Sequence, residues 1–117
     1  MSGAQITALR DVDGFQHSQD DYWYRPVVLG DALFSYVAHV PPGGDMPASA
    51  EEAEMFELSL FMLGGSLRIQ YGEDAFDIAA GEALHIPRGV PFGVRNETDE
   101  LGTFFLTFTP PPNIKSI

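Results

Sequence analysis

Glycine and proline break this 117-residue chain at short intervals, twelve of one and nine of the other. The stretches between them are rich in Val, Ile, Phe, Tyr, Leu and Thr, the residues that suit a pleated, half-buried surface. Tyr22 to Leu29, Leu33 to Val40, Met55 to Leu63, Ser66 to Tyr71, Ala75 to Ile78, Ala83 to Pro87, Phe92 to Arg95 and Gly102 to Thr109 read as strands. Turns are expected at Gly30-Asp31, Gly64-Gly65, Gly72-Glu73-Asp74, Ala80-Gly81 and Arg88-Gly89. Alternation supports the assignment: Leu67, Ile69 and Tyr71 interleave with Ser66, Arg68 and Gln70, and Phe104, Leu106 and Phe108 with Thr103 and Thr107. No segment of ten or more residues carries a helical apolar stripe. The best helical stretch, Ala48 to Met55, is short and mostly acidic.

Strands this short and this evenly spaced call for a sandwich or a barrel, because each half-buried strand needs a facing sheet and closure removes exposed edges. The length suits one domain with one core. The expected division is N-terminal strands over residues 5–36, a conserved core over 37–110 and a proline-led tail over 110–117.

Charge and cysteine narrow the chemistry. Seventeen acidic residues against six basic ones give a net charge of -11, which repels nucleic-acid backbones and anionic lipid. With no cysteine, disulfides, thiolate nucleophiles and cysteine-ligated zinc are excluded, and three histidines are the only soft nitrogen ligands. The longest apolar run, Leu58 to Leu63 broken by Ser59, is far shorter than a membrane span, and no signal pattern opens the chain. These features read as a soluble cytoplasmic protein with no nucleic-acid or membrane partner.

One segment carries a motif. Gly81, Pro87, Gly89 and Asn96 stand at the spacing of the second conserved motif of the cupin superfamily: Gly, five residues, Pro, one residue, Gly, two residues, His, three residues, Asn. Phe92 occupies the position of its metal-binding histidine. Pro41-Pro42-Gly43-Gly44 and Leu63-Gly64-Gly65-Ser66-Leu67 are similar to the frame of the first motif. The resemblance spans roughly residues 37–110. It implies an all-β fold, a cupin-type double-stranded β-helix or jelly-roll barrel with a ligand cavity in its mouth, and, as is common in that superfamily, a homodimer. In the first motif the metal-binding Glu falls on Leu58. Its two histidines fall on Glu52 and Glu54 with the shorter gap and on Glu51 and Ala53 with the longer one; another alignment puts Ala48 and Ala50 there.

Leu58 and Phe92 remove two donors from a metal cup and line the spot with hydrocarbon, so neither metal nor cofactor is expected. Two readings of each remaining residue stay open. Glu52 and Glu54 form either an acid–base pair on one side of a strand or part of a solvated acidic run. His85 and His39 either enter the cavity or sit as ordinary strand residues, since alternation cannot choose the face. Tyr36 is a candidate phenolic acid. Leu58, Leu60, Met62 and Phe92 line either an apolar pocket or a collapsed core, and Arg68 and Arg95 hold a carboxylate if they face inward. The aromatic group Tyr22-Trp23-Tyr24 before Arg25 reads as an edge covered by a partner subunit. The leading expectation is a small-molecule-binding protein without a metal, acting as an isomerase, cyclase or lyase. The alternatives are a non-catalytic binding or sensing module and a divergent metal-dependent dioxygenase.

Overall fold

A computed structural model describes residues 3–16, 22–46 and 50–111. Among the described residues, ten strands and one short α-helix follow in the order β1 (Phe15–Gln16), β2 (Trp23–Leu29), β3 (Phe34–Val40), β4 (Asp45–Met46), α1 (Ala50–Met55), β5 (Glu57–Gly64), β6 (Ser66–Tyr71), β7 (Asp74–Ala79), β8 (Ala83–Ile86), β9 (Phe92–Arg95) and β10 (Gly102–Thr109). The eight strands expected from the sequence are all present within two residues at each end. The two-residue strands β1 and β4 are too short to leave a periodic signal. Within residues 5–14, where strands were expected, the chain forms a single 3-10 turn at Leu9–Asp11.

Every pairing between these strands is antiparallel. They form a six-stranded sheet, β1-β2-β3-β10-β5-β8, and a four-stranded sheet, β4-β9-β6-β7. The sheets face each other across an apolar core of Ala38, Val40, Leu60, Met62, Leu67, Ile69, Ile78, Val94, Phe104 and Leu106, each less than 5% exposed. Thus the residues that alternate in sequence are the ones that pack inward, as a double-stranded β-helix requires.

Register decides which side chains can meet. Across the larger sheet one inward row runs Tyr24, Ala38, Phe104, Met62; the next runs Tyr36, Leu106, Leu60, Leu84; a third runs Phe34, Phe108, Leu58, Ile86. The outward rows lie between them, Trp23, His39, Thr103 in one and Ser35, Thr107, Ser59, His85 in another. Turns lock this register. Gly65, between β5 and β6, has φ of +72°, and a Cβ there would lie 2.5 Å from the Leu101 carbonyl oxygen. Only glycine fits both the left-handed backbone and the close approach.

Asn96 fixes the closure of the barrel. It is fully buried, and its Nδ2 donates to the carbonyls of Val40 at 2.8 Å and Glu100 at 2.7 Å, while its Oδ1 accepts from the Thr98 amide and hydroxyl. All four hydrogen-bonding positions of the amide are used, so one side chain ties β9 to the end of β3 and to the loop before β10. Among the described residues no helix is long and apolar enough to cross a membrane.

Candidate functional site at the barrel mouth

Asn96 joins the end of β9 to Val40, so Phe92 at the start of β9, with its register partner Tyr71 on β6, lies at the opposite end of the barrel. At that end the larger sheet contributes Phe34, Phe108 and Leu58. The helix α1 joins it there: the Gly89 amide in the β8–β9 turn donates to the Ala53 carbonyl at 2.6 Å. Phe56, which follows α1, stacks edge-on against Phe108 at 4.8 Å between ring centres.

The mouth is lined by rings in succession. Tyr24 meets Tyr36 at 5.5 Å, Tyr36 meets Phe34 at 6.0 Å and Phe108 at 6.1 Å, and Phe34 meets Phe108 at 5.3 Å. These tilted and edge-to-face contacts are the geometry that aromatic quadrupoles prefer. Tyr24, Tyr36, Leu58, Tyr71, Phe92 and Phe108 are only partly buried and rest on the sealed core beneath. The result is an apolar, aromatic surface packed on the core at this end of the barrel.

The expected site residues do not all converge here. Leu58, Phe92 and Tyr36 belong to the mouth. Leu60 and Met62 do not line it: both are 0% exposed, so no water-sized space touches them, and their register partners Leu106 and Phe104 close over the same interior. For this pair the collapsed-core reading holds. Glu54 is exposed on α1. Because α1 is helical through residues 52 and 54, the strand alternation that would align Glu52 with Glu54 does not operate. The side chain of Glu52 lies outside the described ones.

Both strand histidines face away from the mouth. Leu84 and Ile86 turn inward, so His85 turns outward, where its Nε2 pairs with Glu57 Oε2 at 2.7 Å with more than half of each side chain exposed. His39 shares the outer face with Ser35 and Val37. Its Nδ1 lies 3.2 Å from Thr103 Oγ1, and its buried Nε2 has no hydrogen-bond partner. Burial, and secondarily the Arg25 guanidinium, holds this imidazole below the ordinary histidine range. Arg68 and Arg95 are likewise exposed on the outside of the smaller sheet, Arg68 on Asp77 at 3.2 Å. Trp23 and Tyr24 are not at a free edge, since β1 pairs with them through Gln16 and Phe15.

A family metal cup does not fit these residues. The positions of two of its ligands hold the hydrocarbon side chains of Leu58 and Phe92, which offer no lone pair. Among the described residues no group of three or more His, Asp or Glu side chains could hold a metal ion. Sequence reasoning missed the contribution of Phe34, Phe56, Phe108 and Tyr24 to the mouth. Alternation places three of them on one face of their strands, but only the cross-strand register shows that they gather at one end.

Comparison with known proteins agrees with this fold. The chain is similar to the RmlC-like cupin from Shewanella frigidimarina, with a TM-score of 0.81 and 12% identity over 98% of this chain and 97% of that one. KdgF from a Halomonas species gives 0.80 and 14% identity, covering 97% and 99%. The polyketide cyclase RemF from Streptomyces resistomycificus gives 0.79 and 20% identity, covering 95% and 85%. At such identities the likeness is one of fold. No curated protein sequence matches the chain. A cupin-domain family model matches residues 36–108, from Tyr36 at the mouth through the full second motif, and the chain therefore belongs to the cupin family.

Proposed function

We propose that this cupin binds a partly apolar small molecule at the mouth of its barrel without a metal ion. The observation that supports this most is the pairing of Leu58 and Phe92, both packed on the core among the rings at the mouth, at the two positions where the resemblance calls for metal donors. Burying apolar ligand surface against such rings yields roughly 25 cal/mol per Å2 before the costs of association.

Turnover by isomerisation, ring closure or elimination needs an acid and a base placed on one substrate. The polyketide cyclase with this fold makes that chemistry a natural comparison. Here, however, His85 and His39 point to the outer face of the sheet, Glu54 is exposed on α1, and Tyr36 is an expected acid–base residue packed at the mouth. Binding without turnover is therefore the reading the geometry favours, with the metal-dependent dioxygenase disfavoured by the side chains at positions 58 and 92.

A thermal-shift screen of aromatic and alicyclic small molecules, run with and without EDTA, tests the proposal. A ligand present at about a hundredfold its dissociation constant stabilises by about 2.7 kcal/mol, a shift of several degrees for a domain of this size. Stabilisation unaffected by EDTA and abolished by Phe92→Asp, which sets a charge among the rings at a half-buried position, is the expected result. Stabilisation only with added metal, or equal stabilisation of the Phe92→Asp protein, contradicts it.

A further inference from the structure

The mouth leaves one polar feature unused, on the opposite face of the six-stranded sheet. Residues 10–14 pass over that face before Phe15 and Gln16 join the sheet edge beside β2. Gly14 lies against the Arg25 and Trp23 side chains, close enough that an added Cβ would touch both at 3.9 Å. Beneath this segment is a groove of about 440 Å3 lined by Arg10, Asp13, Trp23, Arg25 and His39 among others.

Its chemistry is specific. Trp23, His39 and Thr103 form one cross-strand row, and Arg25 is the next outward residue on β2. The imidazole bonds Thr103 through Nδ1, which leaves Nε2 buried and unpartnered. The ion pairs formed among the described residues, Arg68 with Asp77 and His85 with Glu57, lie elsewhere. Two of the five arginines in a chain of net charge -11 line this groove with His39, and among the described residues that line it Asp13 is the one carboxylate.

We propose that this groove is a second ligand site, one that takes a small carboxylate with a flat apolar body. The planar guanidiniums of Arg10 and Arg25, which line the groove, suit its carboxylate through paired N–H donors. Trp23, 46% exposed, offers its ring face to the apolar part. This site does not depend on the mouth, which lies on the other side of the sheet, so either assignment can fail alone.

Trp23 is the only tryptophan, and its emission reads the groove directly. Titration of the full chain with benzoate is expected to give a saturable change, with benzamide, the uncharged isostere, at least about tenfold weaker. Arg25→Gln is expected to weaken benzoate by a similar factor, while Arg88→Gln, which removes the same charge from the β8–β9 turn, leaves it unchanged. Nitrogen NMR of the imidazoles provides a readout without substitution: saturating benzoate shifts the signals of His39, which lines the groove, and leaves the exposed His85 in place. Absence of a saturable response, equal binding of benzamide, phosphate binding at least as tightly as benzoate, or wild-type affinity in a folded Arg25→Gln protein overturns the proposal.

Discussion

Phe104→Ala is expected to destabilise the protein by about 4 kcal/mol, because it removes a large ring from the centre of the core and leaves a cavity that the surrounding strands fill only in part. Phe104 is 0% exposed and sits in register between Ala38 and Met62. Its neighbours across the interior cannot collapse onto the space without breaking the ladders on either side. Phe61, on the adjacent strand β5, provides the contrast. It points outward and is 43% exposed, so Phe61→Ala is expected to cost less than about 1 kcal/mol. Urea unfolding measures both, as a drop in midpoint at unchanged slope. Equal losses for the two would mean that the inside and outside of the sheet have been assigned the wrong way round.

Asn96→Ala is the second large effect, about 3 kcal/mol, and it acts without any change in apolar packing. The substitution strands the buried Val40 carbonyl and also removes the donor to Glu100 and both bonds from Thr98. A buried acceptor left without a donor costs about 1–3 kcal/mol, and the other bonds add about 1 kcal/mol in sum at this partly exposed loop. Thr98→Ala removes only the hydroxyl bonds and is expected to cost under about 1 kcal/mol. The comparison, again by urea midpoint, separates a structural Asn96 from an incidental one. A neutral Asn96→Ala protein would show that the closure of the barrel is held elsewhere.

Asn96 also explains why the family was legible although Phe92 stands at the histidine position of the motif. Of the residues in the second motif, Gly81 and Gly89 hold positive φ in turns and Asn96 satisfies buried backbone. Those are demands of the fold, and they persist whatever the barrel does. The one chemical position of the motif, held here by Phe92, answers to no such demand of the fold. The strands were legible for a similar reason: Leu67, Ile69 and Tyr71 must alternate because one sheet face is buried. His39 and His85 were not. Period two fixes that neighbours point opposite ways, and only the facing sheet says which way is in. The Glu52–Glu54 pair was lost differently. A six-residue helix leaves too little periodic signal to be separated from a strand or loop, and helical geometry replaces the alternation on which that pair relied. The aromatic mouth depends on register between strands far apart in sequence, as does the groove around His39, where β2, β3 and a segment from near the start of the chain meet.

The central claim is that the cup of this cupin works through hydrocarbon rather than through a metal ion. Elemental analysis of untagged protein, after growth with iron, manganese, nickel and zinc and dialysis against chelator-free buffer, tests it most directly. The account predicts far less than one metal ion per chain, and no rise in unfolding temperature when any of the four is added back. Retention of about one ion per chain, with thermal stabilisation on its return, would contradict it, since Leu58 and Phe92 supply no lone pair to hold one.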